Sequence, residues 1–291
     1  MRSPTDAVQD LVHRMGRWSA LDGVAEKAAG TVRTLTRPTI IRNTLSGTWV
    51  GHQLHPLLTD LPIGAWGAAT FLDLVGGPDS AASARRLVGA GILAVVPVAA
   101  TGASDWSHTR GADRRVGLVH AAGNEMATAL QVASWWVRGS GRRGTGIALS
   151  VAAMGLTGAA GYLGGHLSYS QGVGVNRTAF QVRPTTWTDV IGASELRDGT
   201  LSRVTAQGVD VVVIRQGEAL HALSNACTHD GGALDEGVLR DGRVICPASD
   251  CEFRLDDGGV QRGPATVPQP VWDIRVDDGR VQVRASASSA R

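Results

Sequence analysis

Apolar and polar positions along the chain change period twice. Residues 6–18 and 21–35 carry apolar side chains at helical spacing among charges, with Val8, Leu11, Val12 and Met15 on one face. This predicts one or two amphipathic helices. They either pack on the rest of the protein or lie on a membrane surface, helped by Arg14, Arg17, Lys27, Arg33 and Arg37. Pro38 ends the pattern. Four long apolar runs follow, at 57–75, 87–104, 116–137 and 145–165, and the second and fourth hold no charged residue. At about 1.5 Å per residue each can cross a hydrocarbon layer of ~30 Å. Trp106, Trp135 and Trp136 stand at run ends, where indoles prefer the interface, and Gly155, Gly158, Gly161 and Gly165 let the fourth run approach a neighbour closely. Four such runs in succession, joined by short polar loops, favour a bilayer over a soluble helical core.

Beyond residue 170 the period shortens. A linker, glycine-rich and then polar, leads to β-type runs at 201–206, 209–215, 219–223, 242–246, 251–255, 272–276 and 280–284. Asp241-Gly242, Asp257-Gly258 and Asp278-Gly279 punctuate them as turn signals. The expected fold class is therefore a membrane α-helical bundle of four transmembrane helices joined to a small all-β domain. Its expected parts are an amphipathic lead-in (1–50), the membrane domain (51–175), a linker (176–187), the β domain (188–284) and a disordered tail (285–291).

Charge and cysteine content narrow the function classes. Across 291 residues the 28 basic and 26 acidic side chains nearly cancel, and no dense Lys/Arg run appears, so nucleic acid is not an expected partner. The lipid bilayer is. The first twenty residues lack an apolar core and a twin arginine, so no cleaved export signal is expected. Seven arginines near the helix ends on the side of the N-terminus and the β domain face five on the other. That bias places both in the cytoplasm and the bundle in the inner cell membrane.

All 3 cysteines fall between residues 227 and 253. Cys227 and His229 are one residue apart, sixteen residues intervene, and Cys246 precedes Pro247, which is a metal-ligand spacing. The pattern resembles the Rieske [2Fe-2S] family, C-x-H followed by C-P-x-H-G, in which two thiolates hold one iron and two imidazoles the other. The resemblance implies Cys227 and Cys246 on one iron and His229 on the second. Where the family has its second histidine this chain has Ser249, and Asp250 replaces the following glycine. The fourth position stays open between Cys251, Ser249 and no ligand. Phe253 matches the aromatic after the second box, and Gly263-Pro264-Ala265 with Pro268 and Pro270 resembles the loop that shields the cluster. Gly232 and Ala248 occupy the places of the extra disulfide cysteines of the cytochrome-bc type, which puts the domain nearer the ferredoxin and oxygenase type. No iron-binding catalytic domain follows in this sequence, so an electron-transfer component with an unidentified redox partner is expected rather than a complete catalyst. A competing reading keeps the β domain as a cluster-free interaction or scaffold module.

The run GHQLHPLLTDLPIGAW from Gly51, with GASDWS around Asp105 and GGHLSYSQGVGV from Gly164, resembles the DUF2231 family of predicted four-helix membrane proteins. Alternating the four spans puts His52, His55, His108, His120 and His166 at one membrane face. His55, His120 and His166 are then candidate ligands for a haem or metal, and a third reading is a haem-bearing electron conduit. No C-x-x-C-H occurs, which excludes covalent haem attachment. Asp60, Asp73, Asn124 and Glu125 are expected to face the bundle interior.

Overall fold

The computed structural model of the chain describes residues 4–286, so most of the expected tail, 287–291, lies outside the described residues. Two compact units emerge. One comprises the residues up to Arg37 with Leu54–Val173, and the other Pro38–Gln53 with the chain from Gly174 onward. Residues 38–53 thus group with the β elements rather than with the helical lead-in.

The helical unit contains α1 (Pro4–Gly16), α2 (Asp22–Leu35), α4 (Leu54–Val75), α5 (Ala81–Trp106), α6 (Gly111–Gly139) and α7 (Arg143–Gly165); α3 (Thr39–Ser46) belongs to the other unit. Helix α4 packs on α5, α5 on α6, α6 on α7, and α7 back on α4, so α4 and α6 face each other across the bundle axis. Helix α1 buries Val12 against Val116, Leu163 and Leu167, while Val8 and Leu11 stay exposed. Helix α2 is tied to α6 by Arg115, whose Nε and Nη2 donate to Asp22 at 2.6 and 2.8 Å, and by an Arg114–Glu26 ion pair. Pro38 ends α2 and stands at the N-cap of α3.

Two of the four expected spans, Pro78–Trp106 and Arg143–Ser170, are long and apolar enough to cross a membrane by length and composition. The other two helices are more polar. Helix α6 carries Asp113, Arg114, Arg115, Glu125 and Arg138, and α4 carries Asp60 and Asp73. Of the polar residues expected inside, Asp73 is buried, and Arg138 grips it with bonds of 2.9 and 2.5 Å, backed by Ser134 and Ser150. Asn124 is half-buried. Asp60 and Glu125 are exposed instead. At about 100° per residue, Asp60 lies roughly 140° round the helix from Asp73, and Glu125 is turned away from its inward-leaning neighbour Asn124.

The second unit holds three antiparallel sheets. The first is β1 (Thr188–Gly192), β10 (Arg280–Ala285) and β9 (Trp272–Asp277); the second is β2 (Leu201–Ala206), β3 (Val209–Gln216) and β4 (Ala219–Ser224). The third runs β5 (Val238–Arg240), β6 (Arg243–Ile245), β7 (Glu252–Arg254), β8 (Val260–Arg262). Strand β3 organises the interior. Its residues Val211 to Ile214 are all buried, and because side chains alternate along a strand they feed two cores. Val211 and Val213 join Val204, Trp272, Val281 and Val283; Val212 and Ile214 join Leu223, Phe253 and all three cysteines. Asp241-Gly242 and Asp278-Gly279 both take positive φ, as tight hairpin turns require. Asp257-Gly258 does not turn this way: only Gly258 has positive φ, and a Cβ there would stand 1.9 Å from the carbonyl oxygen of Gln269. Helix α3 docks beside β8. Asn43 donates from Nδ2 to the Gln261 carbonyl at 3.1 Å and accepts the Gly263 N–H at 2.8 Å.

Candidate metal centre

Two short loops carry the cysteines, and each is closed by its own backbone. Cys227 N–H donates to Gly232 O at 2.9 Å and Gly231 N–H to Cys227 O at 2.8 Å; Cys246 N–H donates to Cys251 O at 2.9 Å and Asp250 N–H to Cys246 O at 3.1 Å. Asp250 sits at φ 57°, a conformation aspartate tolerates better than most non-glycine residues. Gly232 lets the loops meet, since a Cβ there would lie 2.7 Å from Ala248 Cβ and 3.0 Å from Cys246 Sγ. A third segment closes over both. Thr228 donates through Oγ1 to Val267 O at 2.9 Å, and Ala265 N–H donates to Cys251 Sγ at 3.2 Å.

One buried amide fixes the first loop. Gln269, 1% exposed, accepts the Thr228 N–H at 3.1 Å and donates to the carbonyls of Ser224 and Ala226 at 2.6 and 2.7 Å. Three main-chain groups next to Cys227 thereby find partners away from water.

This framework brings Cys227, Cys246, Cys251 and Ser249 together. Sγ of Cys227, Sγ of Cys246 and a carboxylate oxygen of Asp230 all lie within 4.8 Å of one another. The Ser249 hydroxyl is 4.0 Å from Cys227 Sγ and donates to Cys251 Sγ at 3.2 Å. All three thiols are fully buried. His229 shares the first loop, half-buried with Nδ1 shielded from solvent, but it is not part of that close group. Asp230 escaped sequence reasoning, its only signal being adjacency to His229. Gln269 escaped too, although a lone amide between Pro268 and Pro270 was the clue.

Electrostatics hold the metal-free thiols of Cys227 and Cys246 protonated. The Cys246 thiol is pushed well up by its hydrogen bond with Cys227, by burial and by negative charge on Cys227, against a smaller downward pull from Ser249. At Cys227 the hydrogen bond with Cys246 pulls down. The contact with Cys251, burial, and negative charge on Cys251 and Asp230 outweigh it, so this thiol also ends raised. A metal entering here displaces protons. The donor set fits a thiolate-rich iron–sulfur site: two convergent sulfurs, an imidazole on the same loop, and a third sulfur that already accepts an N–H and an O–H. It departs from the two-cysteine, two-histidine shell, because the second imidazole's place holds a hydroxyl, a harder and weaker donor.

The membrane-face candidates are placed as follows. Nδ1–H of His55 donates to Val98 O at 3.0 Å and that of His120 to Ala160 O at 2.7 Å, each reaching a neighbouring helix. His166 is half-buried, its Nε2 3.2 Å from Gln171 Nε2. His52 is exposed and falls in the β unit.

The β unit is thus a small antiparallel β domain with a buried pair of convergent thiols. Residues 51–177 match the family described as predicted membrane protein (DUF2231), and residues 186–273 match the Rieske [2Fe-2S] domain. The chain is a DUF2231 domain followed by a Rieske domain, as both sequence resemblances implied. Over 67 residues it is 25% identical to the ferredoxin component of a naphthalene 1,2-dioxygenase system from Pseudomonas aeruginosa, a match covering 23% of this chain and 64% of that relative. Among solved structures, the ferredoxin of carbazole 1,9a-dioxygenase from Nocardioides aromaticivorans IC177 is 27% identical, with a TM-score of 0.34 over 35% of this chain and 100% of its own. The ferredoxin of Sphingomonas yanoikuyae B1 is 19% identical, with a TM-score of 0.33 over 35% and 100%.

Proposed function

We propose that this chain is a membrane-anchored Rieske-type electron-transfer protein whose cluster ligation has shifted towards thiolate. The observation that carries this reading is the buried convergence of Cys227 and Cys246 sulfurs on two self-closed loops of a Rieske domain. A [2Fe-2S] cluster, when bound, supplies reversible one-electron chemistry. Cys227 and Cys246 would hold one iron, and His229 with Cys251 the other. Cys251 is preferred to Ser249 because its sulfur accepts the Ala265 N–H and the Ser249 O–H, the kind of donors that settle a thiolate ligand. The Ser249 hydroxyl then orients a ligand rather than being one.

Anchoring is supported by apolar side chains that stay exposed on all four long helices. They include Leu57, Phe71 and Leu74 on α4, Leu93 and Val96 on α5, Met126 and Trp136 on α6, and Val151 on α7. In our reading all four cross the bilayer, with the Rieske domain in the cytoplasm beside a soluble redox partner. The deciding experiment is iron and acid-labile sulfide analysis with low-temperature EPR on the anaerobically purified full chain. Two irons and two sulfides per chain with a reduced-state signal, lost in Cys227→Ser and Cys246→Ser, is the expected result. A folded chain that takes up neither after anaerobic reconstitution excludes the cluster and leaves the domain a binding module.

A further inference from the structure

The helical unit repeats a spacing across its axis. Asp73 on α4 and Arg138 on α6 touch directly, bridging two helices that otherwise face each other diagonally. Eighteen residues before Asp73 stands His55, and eighteen before Arg138 stands His120. Eighteen residues are five turns at 3.6 residues per turn, so each histidine lies on the same face of its helix as the ion-pair residue. Helices α4 and α6 run the same way, as alternate members of an up-and-down bundle. The two faces that meet at the ion pair therefore present His55 and His120 to each other about 27 Å further along.

The surroundings of the two rings match as well. Each gives its Nδ1–H to a main-chain carbonyl of the next helix, Val98 on α5 for His55 and Ala160 on α7 for His120. A carbonyl only accepts, so both rings carry the proton on Nδ1 and present the Nε2 lone pair. Each packs against a glycine four residues beyond that carbonyl: a Cβ at Gly102 would stand 2.7 Å from His55 Cε1, and one at Gly164 3.0 Å from His120 Cε1. The Asn124 amide donates from Nδ2 to His120 O at 3.0 Å and to His120 Nε2 at 3.3 Å, so a metal at Nε2 takes over a lone pair that Asn124 holds in place.

We propose that His55 and His120 form a two-imidazole site for a transition metal inside the DUF2231 bundle, either the iron of a non-covalent haem or a bare first-row divalent ion. A main-chain carbonyl holding the second nitrogen is the usual support of a metal-bound histidine, because it fixes both tautomer and ring plane. His166, whose Nε2 lies beside the Gln171 amide, is not part of the pair.

The test uses the full chain in detergent, carrying Cys227→Ser and Cys246→Ser so that cluster iron does not count; failure of the cluster reading leaves this result untouched. Haemin and Co2+ are titrated separately. If haem is the ligand, a Soret band saturates at one equivalent, and His55→Met shifts the spectrum from bis-imidazole to imidazole–thioether without loss of folding. If a bare ion is the ligand, haemin gives no stoichiometric band and Co2+ saturates at one equivalent with ligand-field absorption. In either case His55→Ala and His120→Ala weaken binding at least tenfold, and His166→Ala leaves it unchanged. Binding of neither probe near one equivalent, or binding that survives both alanine substitutions, overturns the assignment.

Discussion

Replacing Gln269 by alanine tests whether the first cysteine loop is held in shape from behind. The side chain makes three hydrogen bonds to main-chain groups flanking Cys227 and is 1% exposed, so water does not readily replace it. At about 1 kcal/mol net per bond, and more for any group left buried without a partner, the loss comes to about 3–5 kcal/mol. The three cysteines, all buried in the core beneath this loop, provide the assay. In the metal-free full chain, labelling by a thiol reagent in excess requires that core to open, and its rate reports the free energy of opening. A change of about 3 kcal/mol corresponds to labelling roughly 150-fold faster, at 1.4 kcal/mol per tenfold. Gln269→Met restores volume but no bonds, and should stay within about 1 kcal/mol of the alanine variant. The reasoning is refuted if alanine accelerates labelling less than about fivefold, or if methionine restores the wild-type rate.

Other outcomes follow from the same geometry. Cys251→Ser should lower cluster content severalfold in the reconstituted chain, whereas Ser249→Ala, which removes one hydrogen bond to sulfur, should keep two irons and shift the midpoint potential; equal loss in both would reassign the fourth ligand. The Cys3His shell should place that potential below the roughly −150 to +300 mV range of two-histidine Rieske centres, measurable by EPR-monitored titration. Asp73→Ala strands the Arg138 charge in the bundle and should cost about 3–5 kcal/mol, while Asp73→Leu with Arg138→Met should cost less than either single change, read from thermal unfolding in detergent. The raised thiols of Cys227 and Cys246 give the metal-free domain a stability term that is present below the ordinary thiol value of 9.0. Above it, unfolded thiols ionise while folded ones resist, so the term is lost as pH rises. Urea midpoints should therefore fall above about pH 9 in the metal-free protein, and a flat profile would count against thiol burial.

Much of this arrangement was legible because local pattern and tertiary position coincide. The four consecutive apolar residues Val211 to Ile214 signalled a strand buried on both faces, and they divide two cores as such a strand must. Cysteine spacing foretold that the thiols would meet because the loops that carry them are short and self-closed. What remained hidden depends on long-range geometry. Asn43 gave no sign that it would bond Gln261 and Gly263, more than two hundred residues away. Asp60 and Asp73 read alike as acids in an apolar run, yet their difference is an angle about the helix axis, visible only once Arg138 supplies the reference direction. Asp230 joined the sulfurs through a loop whose turn is set by Gly231 at φ 79°.

The docking of α3 beside β8 also sets a clock. The asparagine that clasps this edge of the Rieske domain is synthesised 218 residues before the Gln261 carbonyl it binds, with the whole helical bundle made in between. At about 5–20 residues per second, α3 waits roughly 10–45 s on the ribosome for its partner. Throughout that interval Ile40 and Ile41, both exposed even in the finished chain, have no domain beside them. Completion of the β unit therefore comes after synthesis of the four long helices, and its earliest-made part must be kept soluble until the last strands arrive.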